Sequence, residues 1–330
     1  MNETNPSVPQ QDVSTSAAPP DTDFTTSDVA DLADRVINNI ETVIVGKRQA
    51  VEDTFTTVLA RGHVLLEDVP GTGKTMLARS LAHSFEGTFK RVQFTPDLLP
   101  SDITGMNVFN QAEREFEFQA GPVFANVVLG DEINRAPPKT QSALLEAMEE
   151  QQVTVDGVTY PMDDPFVVIA TQNSVEPSRT YELPIAQIDR FMKKIQIGYP
   201  DDVEADILAR VVGEHPIQAI EPVASIEELR AARSHVSTIT VKEPVREYAA
   251  AIAQFTRRNA RLGVSPRGTI ALMRAAQARA AISGRDYVIP DDVQYEAPSV
   301  LGHRVYLETD PDGSESERLV QNAVSSVTIP

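Results

Sequence analysis

The stretch His63-Val-Leu-Leu66-Glu-Asp-Val-Pro70-Gly71-Thr72-Gly73-Lys74-Thr75-Met76 runs from a short apolar segment through a Gly/Pro turn into a helical pattern. Leu77, Leu81 and Phe85 repeat every four residues in that pattern, and Gly87 stands where the helix should close. A strand, a glycine turn and a helix in this order are the local build of a phosphate loop. The glycines let backbone N–H groups curl around phosphate oxygens, and the helix N-terminus adds a favourable dipole. Lys74 would then neutralise the β- and γ-phosphates, and Thr75 would offer its hydroxyl to Mg2+. The full pattern asks for Gly where this chain has Asp68, so the match is one residue short.

Outward from this loop the chain alternates further buried-strand runs with amphipathic helices. The strand candidates are Arg91–Phe94, Val127–Leu129, Phe166–Ile169 and Lys194–Ile197. Continuous apolar runs of this kind predict a parallel sheet covered by helices on both faces. Val153–Tyr160 differs, reading as a hairpin on an Asp156-Gly157 turn, with Val155 opposite Val158 and Val153 opposite Tyr160. Tyr199-Pro200-Asp201 marks a boundary, after which helical patterns cover about 201–213, 226–237, 244–259, 266–283 and 291–303. The expected organisation is a disordered polar tail over 1–27, an α/β core over 28–199, an all-helical domain over 200–308 and a C-terminal tail over 309–330. Ser27 is the expected N-cap of the first helix.

Two carboxylates end one of the strands, in Asn126-Val-Val-Leu-Gly-Asp131-Glu132. An Asp-Glu pair alone is usually a solvated turn. On the same sheet as a phosphate loop, Asp131 can hold the Mg2+ shell and Glu132 can polarise an attacking water. Asn173 follows the Phe166 strand and would reach the sheet's C-terminal edge, where its amide can bond both a γ-phosphate oxygen and that water.

Composition excludes several classes. The 330 residues carry 29 Lys and Arg against 48 Asp and Glu, a net charge of −19 that repels nucleic acid and anionic membrane. With no Cys there are no disulfides, no zinc fingers and no Cys nucleophile, and the five His lack metal-ligand spacing. Apolar runs such as Phe166–Ala170 fall far short of the ~20 residues that span a bilayer. The polar start, Met1-Asn-Glu-Thr-Asn-Pro, carries no readable signal peptide. These features lead to an expectation of a soluble, cytoplasmic protein. Only seven of the 29 basic residues are Lys, a balance expected of a halophilic, archaeal source, although an ordinary acidic cytosolic protein also fits.

Taken together, the phosphate loop, Asp131-Glu-Ile-Asn-Arg-Ala136, Thr140-Gln-Ser-Ala-Leu-Leu-Glu-Ala-Met148 and Asp189-Arg-Phe191 resemble the MoxR family of AAA-plus ATPases. Phe94-Thr-Pro-Asp-Leu-Leu-Pro-Ser-Asp-Ile-Thr-Gly105 and Gly263-Val-Ser-Pro-Arg267 extend the resemblance, which covers about residues 30–305. That family tolerates an acidic residue at the Asp68 position. The resemblance implies a P-loop core, with a parallel sheet between helices, and a small helical lid. By it Lys74 and Thr75 are Walker A residues, Asp131 and Glu132 Walker B, and Asn173 sensor 1. The nucleotide-binding set becomes Val45, Gly46 and Pro70 to Met76 with Asp131 and Arg267. Arg267 looks like sensor 2, coupling nucleotide state to the lid. Arg190 looks like the arginine finger that enters a neighbouring subunit. Because Ser174, Arg179 and Ile185 depart from the family pattern, Arg179 competes for that role, and Arg135 is a third candidate for an intersubunit contact.

Residues 106–121 and the Val153 hairpin resemble the family's insertions. The implied activity is Mg2+-dependent ATP hydrolysis by a homo-oligomeric ring, a hexamer by resemblance. The implied role is chaperone-like remodelling or metal-cofactor insertion in client proteins, with a partner carrying a von Willebrand factor A domain. A nucleic-acid motor and a non-hydrolysing nucleotide switch are the alternatives. The hairpin offers no Lys or Arg between 151 and 162, which disfavours the motor. Glu132 and Asn173 disfavour the switch.

Overall fold

The computed structural model of the chain describes residues 24–67, 71–172, 181, 183–198, 220–308, 310 and 313–330. Its first part contains α1 (Thr26–Glu41), α2 (Arg48–Leu59), β1 (Val64–Glu67), α3 (Lys74–Ser84), β2 (Phe89–Gln93), α4 (Pro100–Thr104), β3 (Gly105–Asn110) and β4 (Glu115–Ala120). It continues with β5 (Val127–Asp131), α5 (Pro138–Glu150), β6 (Gln152–Val155), β7 (Val158–Pro161), β8 (Val167–Gln172), α6 (Ile185–Ile188) and β9 (Lys193–Ile195). The remaining helices are α7 (Ile226–Val236), α8 (Glu243–Asn259), α9 (Pro266–Ile282), α10 (Pro290–Leu301) and α11 (Ser314–Ser326).

Five strands form one all-parallel sheet in the order β2-β5-β8-β1-β9. Alternation along each strand divides the side chains between two cores. Val64, Leu66, Val127, Leu129, Val167 and Ile169 join α1, α2 and α3 on one face. Leu65, Val128, Val168 and Ala170 meet Leu144 and Leu145 of α5 on the other. Both faces are therefore buried, which is why the strands read as continuous apolar runs.

Three local expectations are corrected. The cap of α1 is Thr25 and not Ser27: Asp28 Oδ2 accepts from Thr25 N at 2.7 Å while Thr25 Oγ1 accepts from Asp28 N. Three residues beyond Ser27 stands Ala30, which cannot reciprocate in this way. At the end of α3 the left-handed residue is Glu86 (φ 56°), not Gly87. Gly87 donates its N–H to Ala82 O and is needed for room, since a Cβ there would lie 2.7 Å from the Phe85 ring. Residues 314–326, expected as tail, form α11, which buries Val320 and Ala323 against the helical domain. The helical pattern expected over 201–213 lies outside the described residues.

The Asp156-Gly157 hairpin forms in the expected register, with Val153 opposite Tyr160 and Val155 opposite Val158. Its turn uses φ 50° at Asp156 and 84° at Gly157, the left-handed pair of a type I′ turn. A second hairpin, β3–β4, leans on it through a Phe118–Tyr160 ring stack at 3.9 Å.

Polar groups also tie the two layers together. His63, just before β1, is buried and accepts from Val168 N at Nδ1 (3.0 Å), which leaves Nε2–H to donate to Met148 O. Burial pushes its pKa down to about 4 against an ordinary 6.5, so the ring stays neutral and acts as a structural bridge.

Candidate active site

Because the sheet is parallel, its strands end on one edge, and β5, β8 and β1 are neighbours there. The phosphate loop leaves β1 at that edge. Gly71 (φ 87°) and Gly73 (φ 89°) take left-handed backbones, and Gly73 caps α3, so Lys74 and Thr75 open the helix. A Cβ on Gly71 would meet nothing within 4 Å. Lys74, Thr75 and Met76 are half-buried and Thr72 is buried. Pro70 and Asp68 lie outside the described residues, as do Asn173 and Arg179.

Asp131 ends β5 two strands away, with β8 between. Its Oδ1 accepts from the Thr171 hydroxyl of β8 at 2.7 Å, and its Oδ2 pairs with Arg91 Nη2 of β2 at 2.5 Å. The same Thr171 oxygen accepts from Glu132 N at 2.8 Å. The Glu132 carboxylate takes a hydrogen bond from Gln93 Nε2 (2.9 Å) and an ion pair with Arg135 Nη1 (2.7 Å). Arg135, one of the three candidates for an intersubunit contact, is thus held on Glu132 of its own chain. Buried Gln141 fixes the turn after Glu132, donating to Ile133 O, Ala136 O and Tyr181 O. Thr171, Gln93 and Arg91 carry no reading in the sequence, because their roles follow from strand order and not from spacing, and Gln141 enters there only as part of the Thr140–Met148 motif.

Ile44 Cδ1 would touch a Cβ on Gly73 at 3.6 Å, which sets the 44–47 turn beside the phosphate loop. Val45 follows in that turn, and Gly46 (φ 70°) lines a cavity of about 400 Å3 with Lys47, Ile197, Pro298 and His303. The oxygen donors at this edge, the Thr75 hydroxyl and the Asp131 carboxylate, are hard ligands that suit Mg2+.

Arg190 and Arg267 lie at the opposite edge. Phe191 is buried, Met192 N donates to His63 O at the entry to β1, and β1 itself spans about 13 Å. Arg190 is therefore a strand length from its own Lys74. Arg267, in the first turn of α9, is beside it: Glu149 of α5 pairs with Arg190 (3.0 Å) and with Arg267 (2.9 Å). Sequence reasoning placed Arg267 with the chain's own nucleotide, whereas the structure groups it with Arg190. Asp189 explains the neighbouring residue of the Asp-Arg-Phe motif. It pairs with buried Arg304 (2.6 Å) and accepts from Ser265 Oγ (3.1 Å), the cap of α9, so the turn bearing Arg190 is anchored to the helical domain.

A phosphate loop beside an acidic strand tip on a β2-β5-β8-β1-β9 sheet, followed by a helical domain, defines an AAA-class core and lid. Residues 63–193 match the model of the ATPase family associated with various cellular activities (AAA), and residues 252–323 match the AAA lid domain. YeaC, an uncharacterised protein of Bacillus subtilis (strain 168), is 50% identical over 308 residues, covering 92% of this chain and 96% of that protein. Chaperone MoxR1 of Mycobacterium tuberculosis is 40% identical over 310 residues, covering 90% and 82%. A crystal structure of a protein assigned as an ATPase, from Cytophaga hutchinsonii, superposes with a TM-score of 0.85 at 36% identity, covering 92% and 97%. The chain belongs to the MoxR family of AAA ATPases. Among the described residues no helix is long and apolar enough to cross a membrane.

Proposed function

We propose that the chain hydrolyses ATP as a subunit of a homo-oligomeric ring, a hexamer, and uses the cycle to remodel or mature partner proteins. The observation that carries this reading is the separation of two charge systems onto opposite edges of one sheet. Lys74, Thr75, Asp131 and Glu132 stand at one edge, and Arg190 with Arg267 at the other. A single chain then holds the phosphates and the water-polarising carboxylate, while the part-exposed arginines, a strand length away, are left for a second copy.

In this reading the loop N–H groups and Lys74 bind the triphosphate, and Thr75 and Asp131 hold Mg2+, which supplies charge neutralisation on the phosphates. Glu132 orients and polarises the attacking water with Asn173. Arg190 and Arg267 of a neighbour stabilise the charge developing on the γ-phosphoryl oxygens, a contribution worth about 10³–10⁵ in rate for arginine fingers. The chaperone-like role is supported by the name of the M. tuberculosis relative, and a partner with a von Willebrand factor A domain is part of the same proposal.

The test is ATP turnover per subunit against protein concentration in high KCl. Wild type is expected to rise steeply with concentration and Arg190→Ala to stay flat. Lys74→Ala should lose nucleotide binding, while Glu132→Gln should bind ATP without turning it over. Constant turnover per subunit in wild type, or a Glu132→Gln variant as active as wild type, would overturn the reading.

A further inference from the structure

Glu149 stands where a helix tolerates a carboxylate least. It is the penultimate residue of α5, whose last turn has Glu149 and Glu150 and no basic residue, against the negative end of the helix dipole. What stabilises it is a bridge: Oε2 lies 3.0 Å from Arg190 Nη2 and Oε1 lies 2.9 Å from Arg267 Nη2. One anion with an oxygen on each of two guanidiniums is how such a pair receives a phosphate. Neither guanidinium has a second ion pair among the described residues.

The surroundings repeat the theme. The bridge lies in a cleft of about 460 Å3 that Arg61 and Arg274 also line. Arg274 is two helical turns from Arg267 on the same face of α9 and makes no ion pair with a described residue. The other carboxylate in the cleft, Asp189, is taken by Arg304. Arg61 is paired with Asp164 (3.4 Å), and Glu146 and Glu150 flank the bridge on the side of Arg190, so Arg190, Arg267 and Arg274 gather around Glu149 as the carboxylate that both of the first two share.

We propose that Glu149 is a built-in stand-in for phosphate: in the free subunit it holds Arg190 and Arg267, and on assembly the γ-phosphate of a neighbouring copy's ATP takes them from it. This rests on the ring reading above. The γ-phosphate brings more charge and three acceptor oxygens against the carboxylate's two, so it wins the competition, and ADP, lacking that group, does not. Subunit association is thereby made conditional on ATP. All three side chains are part-exposed (27–45%), so the hold is weak enough to be displaced.

The test compares wild type, Glu149→Gln and Arg190→Ala by ATP turnover against subunit concentration, with sedimentation velocity in ATP and in ADP. Glu149→Gln keeps the shape and removes the charge. It should reach half-maximal turnover at a roughly threefold to tenfold lower subunit concentration, with unchanged turnover at saturation, and should associate in ADP more than wild type does. If Glu149→Gln needs the same or a higher concentration while Arg190→Ala stays flat, the ring reading stands and the stand-in role is overturned, Glu149 then merely positioning the arginines. If Arg190→Ala keeps the steep wild-type profile, the ring reading falls and the proposal with it. Glu149→Asp, which withdraws the carboxylate from the bridge, should move the midpoint in the same direction and guards against a folding defect peculiar to the amide.

Discussion

Glu132 follows β5 with φ 56°, a left-handed backbone that a non-glycine residue adopts at a cost of about 1 kcal/mol or more. The Thr171 hydroxyl holds it there, accepting the Glu132 N–H while donating to Asp131 Oδ1. One hydroxyl thus sets both acidic residues of the candidate site. Thr171→Val keeps the shape and deletes both bonds, leaving a part-buried N–H and a carboxylate oxygen without this partner. Stability is expected to fall by about 1–3 kcal/mol and ATP turnover by roughly tenfold or more, with ATP affinity little changed because Lys74 is untouched. Denaturant unfolding and steady-state turnover check both, and wild-type turnover would remove Thr171 from the account. The residues legible in the sequence were those whose chemistry is local, Lys74 and Thr75 in the loop and Asp131-Glu132 at a strand end. Thr171 was not, because its two partners come from a strand that neighbours it only after β8 inserts between β5 and β1.

Elements whose pattern and punctuation agree are legible in the sequence. The β6–β7 hairpin carries its register in an alternating Val/Thr pattern and an Asp-Gly turn, both contained in eight residues. The sheet strands were legible as apolar runs, but their order was not, since every crossover passes through a helix that hides the pairing. Helix α11 was missed for the opposite reason: Asp310-Pro-Asp-Gly-Ser signals a loop, and the apolar set Leu319, Val320, Ala323, Val324 and Val327 behind it is short. That set docks on α8 and α10, where Val320 and Ala323 are fully buried and Tyr248 Oη donates to Val324 O at 3.2 Å. Val320→Asp places an unpaired charge in that contact and should cost about 3 kcal/mol or more. The expected signs are a lower thermal midpoint and early proteolytic loss of the C-terminal helix; an unchanged midpoint would mean that α11 adds nothing to the lid.

The whole molecule is joined by buried charge. Lys193 of β9, fully buried, pairs with Asp53 of α2 (3.1 Å) and with Glu296 of α10 (2.6 Å). Arg279 of α9 pairs with Asp53 (3.1 Å) and Glu296 (3.1 Å) and stacks on Tyr295. Two cations and two carboxylates therefore close a neutral ring of contacts across the junction of core and lid. Breaking such a set is expensive because each lost partner strands a charge away from water. Glu296→Gln should destabilise the chain by about 3–5 kcal/mol, whereas Lys193→Met combined with Glu296→Leu leaves Asp53 and Arg279 paired and should recover most of that loss. Urea unfolding checks this: wild type is expected to lose core and lid in one transition, and a neutral Glu296→Gln would show that apolar packing alone joins them. These ion pairs tie the lid to its own core. In the proposed ring, the surfaces between copies are where core and lid would meet a neighbour. Asp189 and Arg304 fasten the Arg190 turn to the lid, so in that ring a neighbour's phosphate drawing on Arg190 and Arg267 would pull on core and lid as one body.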